Sequence, residues 1–243
     1  MNSCFNGRSG ASVKFRNGQI IKTSTTESVD MQLDWYKHNP YTSPKHKRLN
    51  RYTYKMEFIS GDCAAATKSL WKDIVSIPLR FKQMPPIDGY SGTYKDYVRY
   101  CIRHLPNELS GKVLQIATKF NYTTNTFCHG DLVLNHVIRD DFDNICLIDP
   151  SIKRGIWNSW MIDVGRLMLS FRSNYDTKFM GWPQLDGKSD MVAVMLDAYN
   201  LSLEEMLVQE LLIHCRIYKF QHDFSKSDGQ ETERDIMQLL DIL

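Results

Sequence analysis

Two aspartates bracket a short stretch that constrains this chain more than any other, FCHGDLVLNHVIRDDFDNICLID at residues 127–149. Gly130 precedes Asp131, and a residue without a Cβ permits a tight backbone turn there. The apolar residues Val137, Ile138, Ile145, Leu147 and Ile148 flank the polar run Asp140-Asp141-Phe142-Asp143-Asn144, which predicts loop, strand, turn and strand. A hairpin brings its two ends together, so Asp131 before the first strand and Asp149 after the second are expected near each other. Two neighbouring carboxylates suit a general base and a metal ligand.

Upstream, Ser9 to Lys22 reads as a hairpin turned at Asn17-Gly18, a strong two-residue turn signal. Residues 26–37 predict a helix, with Val29, Leu33 and Tyr36 on one face and Pro40 beyond its end. A basic run containing Lys45, Lys47, Arg48, Arg51 and Lys55 interleaved with His46, Tyr52 and Tyr54 reads as a charged loop leading into an edge strand at 52–59, the alternative being a surface for nucleic acid or an anionic substrate. After Gly61 the pattern turns helical, with Asp62 as N-cap and Ala64, Ala65, Leu70, Trp71 and Ile74 following, until Pro78, Pro85 and Pro86 make a loop. Further helices are predicted at 94–105, 112–120 and 163–171, and an irregular insert at 175–188. Ser202-Leu203-Glu204-Glu205 is a capping box opening a long helix. Residues 225–233 read as a polar loop, and Ile236, Leu239, Leu240 and Leu243 as a short terminal amphipathic helix.

The His-Gly-Asp turn, the hairpin, Leu147-Ile148-Asp149-Pro150 and the later Asp163-Val164-Gly165-Arg166-Leu167 resemble the catalytic core of the aminoglycoside phosphotransferase and choline kinase superfamily. The likeness is to the branch associated with capsular polysaccharide biosynthesis and covers residues 127–170. It implies an α+β, protein-kinase-like fold of two lobes, a small β-rich N-terminal lobe over 1–59 and a larger helical lobe over 60–243. It also implies transfer of the ATP γ-phosphoryl group, with Mg²⁺ or Mn²⁺, to a hydroxyl of a small molecule such as a sugar or amino alcohol. Asp131 would be the base, His129 would brace its loop, Asp149 would bind the metal and Asp163 would hold the loop backbone. Lys22 and the Gly7–Ser12 stretch, with the Ser12 hydroxyl, would contact phosphate. An acid on the first helix, Glu27 or else Asp30 or Asp34, would pair with Lys22, and the backbone near Glu57 and Phe58 would meet the adenine edge.

One departure bears on the metal. The family's auxiliary Asn follows the catalytic Asp by five residues, and here that position is His136, with Asn135 one residue earlier. On a strand such a shift turns the side chain to the opposite face. Either a remodelled loop lets Asn135 reach the metal, or His136 faces the site, and imidazole is a poor ligand for Mg²⁺. Weaker metal binding, another metal and a non-catalytic relative stay open. The rival readings are a nucleotide-binding pseudokinase acting on a protein partner, a kinase-like enzyme phosphorylating or nucleotidylating a protein, and a basic-surface RNA binder whose affinity would fall steeply with salt.

A formal charge of +2 implies no obligatory polyanionic partner, which argues against nucleic acid. Six cysteines without CxxC pairing argue against a structural zinc site and fit a reducing, cytoplasmic setting. No apolar run is long enough to span a bilayer.

Overall fold

The computed structural model describes residues 3–6 and 11–243. Its N-terminal part is an antiparallel sheet of order β1-β2-β3-β5-β4, built from β1 (Ser3–Asn6), β2 (Ser12–Arg16), β3 (Gln19–Thr23), β4 (His46–Asn50) and β5 (Thr53–Glu57). Asn17 and Gly18 join β2 to β3 with φ of 50° and 70°, the two left-handed residues of a primed hairpin turn. The basic run is therefore not a loop: His46 to Asn50 forms the sheet's outer strand β4, and β5 lies one strand further in. Lys22 stands opposite Tyr54 across the β3–β5 pair.

Helix α1 (Thr26–His38) begins at Thr25, whose hydroxyl accepts from the Ser28 N–H, and buries Val29, Leu33, Trp35 and Tyr36. The chain leaves β5 at Glu57 and enters a second sheet, order β6-β7-β8, at β6 (Gly61–Cys63). The expected hairpin is β7 (Val137–Asp140) and β8 (Ile145–Leu147), and the Asp140 carboxylate closes its turn by accepting from the Phe142 and Asn144 N–H groups at 2.9 and 2.8 Å.

The larger part is helical: α2 (Trp71–Lys82), α3 (Tyr94–Ile102), α4 (Asn107–Ala117), α5 (Trp160–Phe171), α6 (Tyr175–Met180), α7 (Asp190–Tyr199), α8 (Leu203–Phe224) and α9 (Lys226–Ile242). Four expectations change. Asp62 lies in β6 and caps no helix, because residues 61–63 pair with β7. Helix α2 runs through Pro78, where burial of Ile74, Ile77, Pro78 and Phe81 outweighs a local cost of about 3 kcal/mol. The insert at 175–188 contains α6, and residues 225–233 are mostly helix, capped by the Ser225 hydroxyl accepting from Asp228 N at 3.0 Å. Helix α5 is buried at every position and packs on α2 and α8. Among the described residues no helix is long and apolar enough to cross a membrane.

Candidate active site

The turn at 129–131 is held from three sides. Gly130 has φ of 75°, and a Cβ there would lie 2.3 Å from the Ser151 carbonyl oxygen, so both conformation and space demand glycine. Asp163, buried on α5, accepts the His129 N–H at 2.7 Å and the Gly130 N–H at 2.8 Å. Arg216 of α8 donates to the Gly130 carbonyl at 3.1 Å and to the Ser151 carbonyl and hydroxyl at 2.9 and 3.0 Å. His129 donates from Nε2 to the Ile148 carbonyl at 2.9 Å and accepts the Asp131 N–H on Nδ1 at 3.3 Å, so its neutral form fits.

Burial pulls the His129 pKa down to about 3 and pushes the Asp163 carboxyl up to about 7. Their linkages oppose each other. A depressed histidine makes stability fall as pH drops below its unfolded value of 6.5, because the unfolded chain gains the proton. A raised carboxyl does the reverse between its unfolded 3.8 and about 7, where the folded chain holds the proton. In Asp163→Asn only the histidine contribution remains. Its unfolding free energy should fall by roughly 1.4 kcal/mol per pH unit more steeply than wild type between about pH 6 and 4. Urea midpoints across that range provide the measurement, and parallel slopes would contradict the pairing.

Asp131 projects from this turn with its side chain 26% exposed, and Arg166 of α5 reaches Oδ1 at 3.1 Å. Burial would raise the carboxyl, but Arg166 and other nearby cations outweigh it and hold the group below its ordinary value. His136 faces the same carboxylate, with Nδ1 donating to the Asp131 carbonyl at 2.8 Å and lying 3.7 Å from Oδ2. Asn135 does not join them: its Oδ1 is buried without a hydrogen-bond partner, and its backbone faces Asp176 of α6. Residues 134–136 form one 3₁₀ turn, where successive side chains splay by about a third of a turn and strand alternation does not apply.

Asp149 adopts φ of 57°, and its Oδ1 lies 2.7 Å from Lys22 Nζ. Its N–H donates to the Tyr36 hydroxyl at 3.2 Å. Gln32 donates to the Pro150 carbonyl at 3.2 Å and accepts from the Tyr54 hydroxyl at 2.6 Å, while Trp35 Nε1 donates to the Cys128 carbonyl at 2.7 Å. The inner face of α1 therefore grips the Asp149 segment with neutral groups. The expected acidic partner of Lys22 is absent: Glu27 is exposed, Asp30 pairs with Arg48, and Asp34 pairs with Lys37 and Arg154. None of the three lies on the helix face that carries Gln32 and Tyr36, so Lys22 takes Asp149 instead.

The backbone donors of Glu57 and Phe58 are engaged by the Lys45 and Gly18 carbonyls at 2.9 and 3.1 Å, so those two N–H groups are not directed at a ligand. The expected phosphate loop falls largely outside the described residues, at Gly7 to Gly10; Ser12 opens β2 opposite Thr23.

The donor set fits a divalent ion sparsely. Among the described residues no three His, Cys, Asp or Glu side chains cluster for a metal. Asp149 offers a carboxylate, and His136, with Nδ1 committed to a carbonyl, keeps Nε2 for a ligand, the tautomer common in metal-bound imidazoles. Remaining positions would fall to water and phosphate oxygens.

Arg166, Arg216, Gln32 and Tyr36 were not singled out for roles here by sequence reasoning. Arg166 carried a readable signal, since it lies three residues after Asp163 on a buried helix and so shares its face. Arg216 carried none.

No protein-family model and no curated protein sequence matches the chain. Solved structures do. The choline kinase LicA from Streptococcus pneumoniae matches at 13% identity with a TM-score of 0.70, covering 100% of this chain and 94% of that one. The aminoglycoside phosphotransferase APH(4)-Ia matches at 12% identity and TM-score 0.69, covering 99% and 92%. LicA in complex with AMP matches at 13% and 0.65, covering 98% and 90%. The chain has the fold of the protein-kinase-like phosphotransferases.

Proposed function

We propose that the chain is an ATP- and divalent-metal-dependent phosphotransferase acting on a hydroxyl of a small molecule. The observation that carries this reading is that the Lys22–Asp149 and His136–Asp131 pairs meet at one end of the β7–β8 hairpin, where the His136 carbonyl accepts the Ile148 N–H at 3.1 Å. Similarity in fold to a choline kinase and an aminoglycoside phosphotransferase supports a small acceptor.

In this reading Asp131 takes the proton of the acceptor hydroxyl as its oxygen forms a bond to the γ-phosphorus and the bond from that phosphorus to ADP breaks. Arg166 and the carbonyl-bound His136 fix the carboxylate's direction. Asp149 and His136 would hold the metal, whose contribution when bound is to neutralise phosphate charge. Phosphate oxygens arriving at Lys22 give it a new counter-charge and release Asp149 from their 2.7 Å pair. The imidazole donor favours Mn²⁺ over Mg²⁺. An ATP-containing, reducing cytoplasm suits the free cysteines 63, 101, 128, 146 and 215.

Thermal melting with ATP and Mg²⁺ or Mn²⁺ tests the site. A ligand at a hundred times its Kd stabilises the fold by about 2.7 kcal/mol, so a shift of several degrees is expected in wild type and none in Asp149→Ala. Absence of a shift with either metal would defeat the phosphotransferase reading and favour a partner-binding protein.

A further inference from the structure

Arg216 is 7% exposed, yet its hydrogen bonds run to neutral oxygens, the Gly130 and Ser151 carbonyls and the Ser151 hydroxyl. Among the described residues no direct ion pair holds it; its charge acts on the Asp131 carboxylate, whose Oδ1 is already engaged by Arg166 at 3.1 Å. One carboxylate shared between two buried guanidiniums leaves net positive charge on this side of the turn, which favours an anion. The other side of Arg216 faces the half-buried Tyr100 of α3, with the guanidinium carbon 6.0 Å from the ring centroid. Arg103 stacks on the same ring at 3.7 Å and also donates to the Tyr100 carbonyl. Lys153, half-buried on the loop that Arg216 grips through Ser151, completes a cationic arc.

Burial would raise the Tyr100 phenol, but Arg216, Lys153 and Arg103 together outweigh it and bring the group below its ordinary value. Arg103 also donates from Nε to His104 at 3.0 Å, and Asp223 is the acid that acts on His104. The arc therefore presents positive potential on the side of the catalytic turn reached through Gly130. A cationic acceptor would be repelled there, and an anionic one attracted.

We propose that the acceptor is a hydroxyl compound that also carries an anionic group, phosphate or carboxylate, and that this group docks on the Tyr100 hydroxyl, Arg103 and Lys153 beside Asp131. The inference rests on the phosphotransferase reading and narrows it: an anionic polyol or sugar derivative takes precedence over an amino alcohol. Arg216 acts as a positioning residue, holding the turn and the arc in one frame.

Calorimetric titration of the protein saturated with a non-hydrolysable ATP analogue and Mn²⁺ tests this, since the filled nucleotide site no longer competes for anions. The probes are glycerol 3-phosphate, glycerate, glycerol and choline. At least one of the two anions should bind tenfold or more tightly than glycerol and choline, and which one separates phosphate from carboxylate. Arg103→Ala/Lys153→Ala should lose that affinity at least tenfold while the analogue still raises its melting temperature as in wild type. Anions binding no better than glycerol, preference for choline, or undiminished binding in the double variant would overturn the proposal. Failure of the analogue itself to shift the melting temperature would remove the phosphotransferase reading beneath it, a visibly different result.

Discussion

Asp131→Asn should lower basal ATP hydrolysis, with water as the acceptor, by about 10²- to 10⁴-fold, the range typical of a lost general base. The substitution is chosen for what it preserves. An amide oxygen at the same position can still accept from Arg166 Nη2, now 3.1 Å from Oδ1, so the nearly buried guanidinium keeps its anchor there. Alanine would remove that acceptor and confound chemistry with stability. The Asp131 backbone is held independently through its N–H on His129 and its carbonyl on His136, so the turn should persist. The metal–ATP melting shift should therefore stay within a degree or two of wild type. Hydrolysis within tenfold of wild type would remove Asp131 from the base role, whereas loss of the nucleotide shift as well would show that the carboxylate serves the site's architecture.

Legibility followed how local each determinant was. The Asn17-Gly18 turn and the Ser202 capping box rest on contacts within four residues, and both form as read; Ser202 Oγ accepts Glu205 N at 3.1 Å and Glu205 Oε2 accepts Ser202 N at 2.9 Å. The β7–β8 hairpin was equally local. Helix α9 was half hidden because its buried face contains Gly229, Thr232 and Asp235 alongside Ile236 and Leu239, so apolar periodicity starts only midway. Asp235 lies there because Lys178 of α6 meets it at 3.0 Å, a partner 57 residues away. The same distance effect hid the site. Whether Asn135 or His136 faces Asp131 depends on a 3₁₀ turn at 134–136, and the counter-charge of Lys22 depends on which face of α1 packs inward. The carboxylates themselves were legible because chemistry needs those residue types, while the groups that orient them come from α1, α5 and α8 with no spacing rule to announce them.

Arg216→Ala should cost about 3–5 kcal/mol of stability, since three buried or half-buried acceptors lose a charged donor and two are backbone carbonyls with no alternative nearby. For a chain of this size that corresponds to a melting decrease of roughly 10 °C. The effect is specific to the joint it makes. Arg216 is the side chain that ties the Gly130 carbonyl to Ser151, so its removal loosens the turn carrying Asp131 relative to the segment carrying Asp149. Gly130 leaves little room for a compensating side chain, because a Cβ there would lie 2.3 Å from the Ser151 carbonyl oxygen. Arg103→Ala serves as the comparison: an exposed arginine directly after α3, in contact with the half-buried Tyr100 and the exposed His104, should change stability by less than about 0.5 kcal/mol. Urea unfolding of both variants decides the matter. If Arg216→Ala unfolds within 1 kcal/mol of wild type, roughly the worth of one ordinary hydrogen bond, then the turn is secured by Asp163 alone. In that case Arg216 would be free to serve ligand binding, and its loss would appear in anion affinity with stability unchanged.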